Sequence, residues 1–240
     1  MVLGDTHVPF QDPKVMAATK QYLHALKPKY LVRHDDLDCC SITHHTEGKY
    51  LTKAQINMTL EQELKMTSDN FKEYEDEFPF LTQLAVASNH PQHLDRYIDE
   101  ARYKEDSFNH ILGLELALAK AKGSDLYDYS MNKYNKLRRT RFLKEKDSVK
   151  IAGVEIADHG HSGANGSRGN VREKGIVYSG KVITGHTHSP EVGVFGNFVT
   201  GTSTYLSLHY TSDAGSSSWL NTHVLLYPNG KMTHIHIIPE

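Results

Sequence analysis

The sequence predicts an α/β fold: two mixed β-sheets sandwiched together and flanked by α-helices. Three observations predict it. The first half of the chain alternates short apolar segments, polar loops and helical patterns, as layered strands and helices do. The second half turns to strand patterns and carries a strong hairpin signal near its end. The length of 240 residues, 38% of them hydrophobic, suffices for a real core without disulfides or a structural metal. One domain over residues 1–240 is therefore expected, with an insertion at about 101–148.

The elements follow in order. Val2-Leu3 is a short apolar strand that runs directly into the loop Gly4-Asp5-Thr6-His7. So short an opening strand fits a domain cut from a longer chain. Residues of about 13–27 read as a helix, with Pro13 early and Val15, Ala18, Leu23 and Leu26 on one face. Tyr30-Leu31-Val32 is a buried strand ending in the polar loop Arg33–Asp38, and about 52–77 is a long helix stopped by Pro79. Leu84–Ala87 is the next strand and ends at Ser88-Asn89-His90; helices follow at Gln92–Ala101 and Leu112–Ala121, the latter stopped by Gly123. Val149–Ile156 reads as a strand pair leading into Asp158-His159-Gly160-His161, and Val182-Ile183-Thr184 as a strand leading into Gly185-His186-Thr187-His188. Asn229-Gly230 marks a hairpin between Val224–Leu226 and Met232–Ile238.

Composition narrows the function classes. A formal net charge of −2 means that a polyanionic partner must be met by a local basic patch. The two cysteines, Cys39 and Cys40, are adjacent, which is no disulfide framework and fits a reducing, cytoplasmic setting. No apolar run reaches the roughly 20 residues of a membrane span, and no membrane partner is expected. Sixteen histidines are the unusual feature, many of them clustered near Asp. That is the composition of a transition-metal site.

One Asp-x-His pair would mean little, because loops are polar in any case. Recurrence at successive strand ends changes this, since the carboxyl ends of the strands of an α/β sheet converge on one crevice. The residue types also suit one task. Two divalent ions about 3.5–4 Å apart can clamp a phosphate, activate water and stabilise the leaving oxygen. They need a shared carboxylate, several neutral imidazoles and a further oxygen ligand. Mixed nitrogen and oxygen ligation without thiolates favours Mn, Fe, Zn or Ni over Ca or Mg.

Five motifs, in order, are Gly4-Asp5-Thr6-His7, His34-Asp35-Asp36-Leu37-Asp38, Ser88-Asn89-His90-Pro91, His159-Gly160 and Gly185-His186-Thr187-His188. This set resembles the calcineurin-like metallophosphoesterases, whose pattern is Asp-x-His, Gly-Asp-x-x-Asp, Gly-Asn-His-Asp/Glu, His-Gly and Gly-His-x-His. It is most similar to members encoded by phages and prophages, through His93-Leu94-Asp95-Arg96-Tyr97 and a terminal strand pair at Thr222–Ile238.

The resemblance implies the four-layer metallophosphoesterase fold and two divalent transition-metal ions, Mn2+ foremost. Asp5, His7 and His188 would hold the first ion and Asn89, His159 and His186 the second, with Asp35 bridging. A metal-bound hydroxide would attack phosphorus in line, and His90 would face the leaving group as general acid. Asp36 is the alternative bridge by register; Asp35 keeps the Asp-x-x-Asp spacing to Asp38. Three positions depart from the pattern: His34 and Ser88 stand where glycines are usual, and Pro91 where an acidic residue follows the histidine.

The substrate is approached through charge. Residues of about 123–147 interleave Tyr127, Tyr129 and Tyr134 with seven Lys and Arg residues, among them Arg138 and Arg139. Such a mixture suits phosphate neutralisation and base stacking, or equally a solvated amphipathic element. His161 and Arg168, near His159, are further candidates for substrate contact; His44 and His45 follow the Asp35 loop. The expectation is a phosphodiesterase acting on DNA, with a phosphomonoesterase acting on nucleotides or small phosphate esters as one alternative and a non-catalytic metal-bearing scaffold as another. A homo-oligomer and, for a phage-encoded chain, the host cytoplasm are compatible with this.

Overall fold

The computed structural model describes residues 1–42, 58–162, 170–206 and 218–238. Among these the chain is a mixed α/β protein of six α-helices and several small sheets. In chain order they are α1 (Pro13–Leu26), β1 (Tyr30–His34), α2 (Leu60–Glu77), β2 (Thr82–Val86), α3 (Gln92–Asp99), α4 (His110–Ala121), α5 (Leu126–Tyr134) and β3 (Thr140–Phe142). The second half holds β4 (Lys150–Ile151), β5 (Val154–Glu155), α6 (Val171–Val177), β6 (Ile183–Thr184), β7 (Glu191–Val192), β8 (Phe198–Val199), β9 (Thr222–Leu226) and β10 (Met232–His236). No described helix is long and apolar enough to cross a membrane.

Local chemistry sets the helix ends. Asp12 accepts a hydrogen bond from Lys14 N at 2.8 Å and Pro13 takes an early position in α1. Thr59 and Gln62 close a reciprocal capping box at the start of α2. The first residues expected for that helix, 52–57, lie outside the described residues, as do His44, His45 and Arg168.

Strands β1, β2 and β3 are parallel neighbours, and Val2 bridges Val32 in parallel and Val224 in antiparallel. The opening segment thereby sits between β1 and the β9–β10 hairpin. Side chains alternate as a pleated strand requires. Val2, Val32, Leu84 and Val86 face a core shared with Val154, Ile156 and Ile183 of the second half. Leu3 and Leu31 point the other way, toward α1 and α2, and Ala85 toward the helices α2–α5. Each fully buried Leu or Val contributes about 1.5–3 kcal/mol, so this two-sided burial fixes the register on which the strand-end loops depend.

Two findings differ from expectation. Strand β1 continues through Arg33 and His34, which the sequence places in the loop. Arg33 is fully buried because every donor group finds a partner: Nε to Asp36 Oδ1 at 2.7 Å, Nη1 to Gln83 Oε1 at 2.9 Å and Nη2 to Asn70 Oδ1 at 2.5 Å. Its guanidinium also lies 4.0 Å from the Phe71 ring centroid. The stretch 123–147, read from sequence as a basic-aromatic insertion or equally a solvated amphipathic element, contributes α5 and β3; Tyr127 and Met131 enter the helical core, and β3 extends the parallel sheet beyond β2.

Candidate metal centre

Parallel strands deliver their following loops to one sheet edge. The opening segment carries Asp5 and His7 there, β1 carries Asp35, and β2 carries Ser88, Asn89 and His90. From the second half come His159, after β5, and His186 and His188, after β6. Backbone hydrogen bonds join these loops: His7 N to Asp35 O at 2.8 Å, Gly185 N to His159 O at 2.9 Å and Ser203 N to Asp5 O at 2.7 Å.

Asp5, His7 and His188 form one group whose ligand atoms all lie within 4.8 Å of one another, and Asp5, Asp35 and His159 form a second. His188 Nε2 is 3.2 Å from Asp5 Oδ2 and 2.9 Å from His7 Nε2. Asp35 Oδ2 lies 3.6 Å from His7 Nε2, 3.5 Å from His159 Nε2 and 3.7 Å from His90 Nε2. That central position is the one expected of a bridging carboxylate. Asp36 instead turns into the protein and takes Arg33. The His186 ring centroid is 5.3 Å from that of His159, and the His186 backbone N donates to Asp5 Oδ2 at 2.8 Å.

The donor set fits a cation. Asp5 Oδ1, Asn89 Oδ1, both ring nitrogens of His159 and His188 Nδ1 are buried without a hydrogen-bond partner among the described residues. Buried polar atoms seldom lack partners; others in this protein do too, both ring nitrogens of His34 among them, but these five are gathered on expected ligands at one sheet edge. His7 Nδ1–H donates to Asp38 Oδ2 at 3.1 Å, which leaves Nε2 as the nitrogen that would turn to an ion once its proton is displaced.

Electrostatics agree. Burial alone would raise Asp5, but the charges of His159 and His188 outweigh it and hold the carboxyl below its ordinary range. Asp35 is likewise lowered against burial, by His90, His7 and His159. Burial would lower His7, yet Asp35 and Asp38 raise it to about 9. The carboxylates are thus ionised at neutral pH, and a metal ion would displace a proton from His7.

Other residues, less visible in sequence, complete the arrangement. Ser88, in a place where the resembled pattern has glycine, donates to Asp35 Oδ1 at 2.7 Å and so aims Oδ2 at the three imidazoles. The carbonyl of Asp38 accepts His90 Nδ1–H at 2.8 Å, so one residue orients both His7 and His90. Buried Glu63 of α2 accepts from Cys40 N, Ser41 N and Ser41 Oγ; burial and Asp38 push it up to about 7. Trp219 packs edge-on to His188 with centroids 4.2 Å apart. A serine beside a ligand was the one signal available for Ser88; nothing local marks Glu63 or Trp219.

Among the expected substrate-contact residues, His161 lies beside the centre, its ring 5.5 Å from His159 and its Nε2 3.0 Å from Glu145 Oε1. Arg138 and Arg139 precede β3, next to Thr140, which pairs with Gln83 near the start of β2; they therefore sit at the opposite end of the sheet from Asn89 and His90. Their backbone N–H groups donate to the Glu75 carboxylate, and the Arg139 guanidinium reaches the Glu75 carbonyl.

Protein A1 of Escherichia phage T5 is 35% identical to this chain over an alignment covering 97% of the chain. The chain spans 44% of the length of that relative. No family model and no solved structure matches the chain.

Proposed function

We propose that the chain hydrolyses phosphodiester bonds with two divalent transition-metal ions, and that DNA is the substrate. The observation that carries this is the convergence of Asp5, His7, Asp35, His159 and His188, from loops scattered over most of the chain, on shared carboxylates. The small sheets are linked by isolated bridges into two groups, β1–β3 with β9–β10 and β4–β8, over a common core, and this supports the four-layer metallophosphoesterase arrangement. So do α1–α5 outside one sheet and α6 against the other, through Asn197 Nδ2 to Val171 O at 2.9 Å.

Asp5, His7 and His188 would hold one ion, and Asn89, His159 and His186 the other, with Asp35 shared. Bound there, Mn2+ or a similar ion supplies Lewis acidity toward a phosphate oxygen and lowers the pKa of water. The protein supplies the rest. His90 keeps its Nδ1 hydrogen on the Asp38 carbonyl, so Nε2 is the nitrogen turned toward the centre and the one that passes a proton to the leaving oxygen. Ser88 and Asp38 fix the aim of Asp35 and His7 before substrate arrives.

The preference for DNA rests on Arg141, Lys144 and Lys146. These are exposed at β3 and just beyond it, and Lys144 and Lys146 flank Glu145, the partner of His161. Positive charge beside a partner of His161 supports a polyanionic substrate.

Metal analysis coupled to a substrate panel tests the proposal. With Mn2+, DNA should be cleaved; Asp35→Ala should lose metal and turnover, and His90→Ala should keep metal and lose about 10²–10⁴-fold in rate. Cleavage of nucleoside monophosphates with DNA left intact would make the protein a phosphomonoesterase. Metal binding with no turnover on any substrate would make it a scaffold.

A further inference from the structure

Beyond the metal ligands, a buried acidic residue on α2 reaches into the loop that holds His90. Glu63 is fully buried and its two oxygens are already committed: Oε1 accepts Cys40 N at 2.8 Å, and Oε2 accepts Ser41 N at 3.1 Å and Ser41 Oγ at 2.6 Å. With Asp38 and Cys40 it forms a group of metal-ligand type. Three donors on the carboxylate make it a clamp on the backbone instead.

What it clamps is strained. Cys39, between Asp38 and Cys40, has φ of 63°, a left-handed conformation that costs a non-glycine residue of order 1–3 kcal/mol. The Asp38–Cys39 peptide is therefore held from both sides. Asp38 N donates to Val8 O at 3.3 Å, and the two peptides after Cys39 donate to Glu63. The carbonyl of that peptide is the acceptor for His90 Nδ1–H. Pro91, the next residue after His90, offers no side-chain acceptor, and the Asp38 carboxylate stands farther from Nδ1, at 3.6 Å, so this carbonyl is the hydrogen-bond acceptor of the ring.

We infer that Glu63 is a positioning residue for the leaving-group step: by holding the Cys40–Ser41 turn it fixes the Asp38 carbonyl and, through it, the ring of His90. The inference rests on the proposed phosphodiester hydrolysis. In Glu63→Gln the amide –NH2 meets donors it cannot accept from, Cys39 relaxes, and the carbonyl turns away from His90. Glu63 bonds no ion ligand, and His7 is held by the Asp38 side chain, whose Oδ2 accepts Nδ1–H at 3.1 Å, not by the carbonyl that turns.

The test compares two phosphodiesters at about pH 8, where Glu63 is ionised. One has a nitrophenolate leaving group, which needs no proton; the other is DNA, whose leaving alkoxide does. Glu63→Gln should bind both Mn2+ ions as the parent does and cleave the nitrophenyl ester at the parent rate. DNA cleavage should fall about 10–100-fold in kcat with KM unchanged, part of the roughly 10²–10⁴ that general acid catalysis contributes. Combined with His90→Ala, it should cost nothing further. Ser41→Ala, which removes one donor without burying a new group, should move DNA cleavage the same way by less, and serves if Glu63→Gln fails to fold. Equal losses on both esters, an additive loss with His90→Ala, or unchanged DNA cleavage would overturn the inference. A readout independent of activity separates it from the underlying proposal: the His90 Nδ1–H proton signal in NMR should be protected from exchange in the parent and exposed in Glu63→Gln. If that holds while the parent cleaves neither ester, the hydrolase reading has failed and the clamp is structural only.

Discussion

Gly185 offers a direct test of how tightly the centre is built. A Cβ added there would lie 2.3 Å from Asp5 Oδ1 and 3.2 Å from both Asp5 Cγ and His34 Cβ. The first contact is about 1 Å inside the roughly 3.5 Å separation of non-bonded atoms. Asp5 cannot yield cheaply, because it is fully buried and its Oδ2 is bonded to the His186 backbone and approached by His188 at 3.2 Å. Gly185 has no easy retreat either, with its N–H on His159 O at 2.9 Å.

Gly185→Ala should therefore displace the Asp5 carboxylate by several tenths of an ångström or more. Overpacking of this kind costs about 1–3 kcal/mol in stability. A ligand or reacting group misplaced by about 1 Å loses on the order of 10²-fold in rate. Asp5 would hold the first ion with His7 and His188, so affinity for that ion should fall most. Titration calorimetry with Mn2+ on chelator-treated protein measures the affinities, and chemical denaturation the stability. A variant that binds two ions with parental affinity would refute the claim that Gly185 is required by the approach of Asp5.

Two further outcomes are expected. His223 is fully buried and accepts Gly4 N–H at Nδ1 (3.0 Å), while its Nε2 lies 2.7 Å from Thr19 Oγ1; burial lowers it from 6.5 to about 4. Its folded pKa lies below its unfolded one, so between these values the unfolded chain binds the extra proton, and stability falls as pH drops from about 6.5 to about 4. The upper bound is about 3 kcal/mol, and denaturation of His223→Asn should show that much less pH dependence across the window; equal slopes in parent and variant would exclude His223 as the cause. The second concerns Trp219, the single tryptophan of the chain, packed against His188: paramagnetic Mn2+ should quench its emission saturably, and ion binding that leaves the emission unchanged would place the ion elsewhere.

The strand-end cluster was legible because position and chemistry coincide there: a short apolar run followed by Asp, Asn or His marks both the strand and what it delivers. Ser88, Asp35 and Asp38 could be placed near the centre from their motifs, but their hydrogen bonds could not, since these depend on which oxygen faces which ring. Glu63 was illegible for another reason. It sits on a helix amid Glu, Gln and Lys, and it and Glu75 differ from the others in facing inward, which tertiary packing decides. Arg33 shows the same limit in reverse. A charge next to a loop reads as loop, yet Asp36, Gln83 and Asn70, far apart in sequence, together satisfy it inside the sheet. Strand β3, three residues within a basic stretch, is too short for a period of two to show.

The backbone of the centre also explains how it should be probed. His7, Asp35, His186 and His188 have φ of 45°, 50°, 74° and 58°, all left-handed, a conformation uncommon outside glycine. At about 1–3 kcal/mol each these residues would relax unless their surroundings held them. The loops hold one another: His7 N on Asp35 O, His186 N on Asp5, Leu220 N on His188 O. Contacts between the loops thus offset the strain, so chelation should leave the loops in place. A substitution that weakens the left-handed turn itself would mix metal loss with loop collapse. Asp35→Ala does this, because alanine tolerates that conformation less well than Asp or Asn. Asp35→Asn keeps the tolerance and still accepts the Ser88 hydrogen bond while removing the charge. Loss of both ions in Asp35→Asn, with stability unchanged, would therefore isolate the bridging charge as the element the metals require.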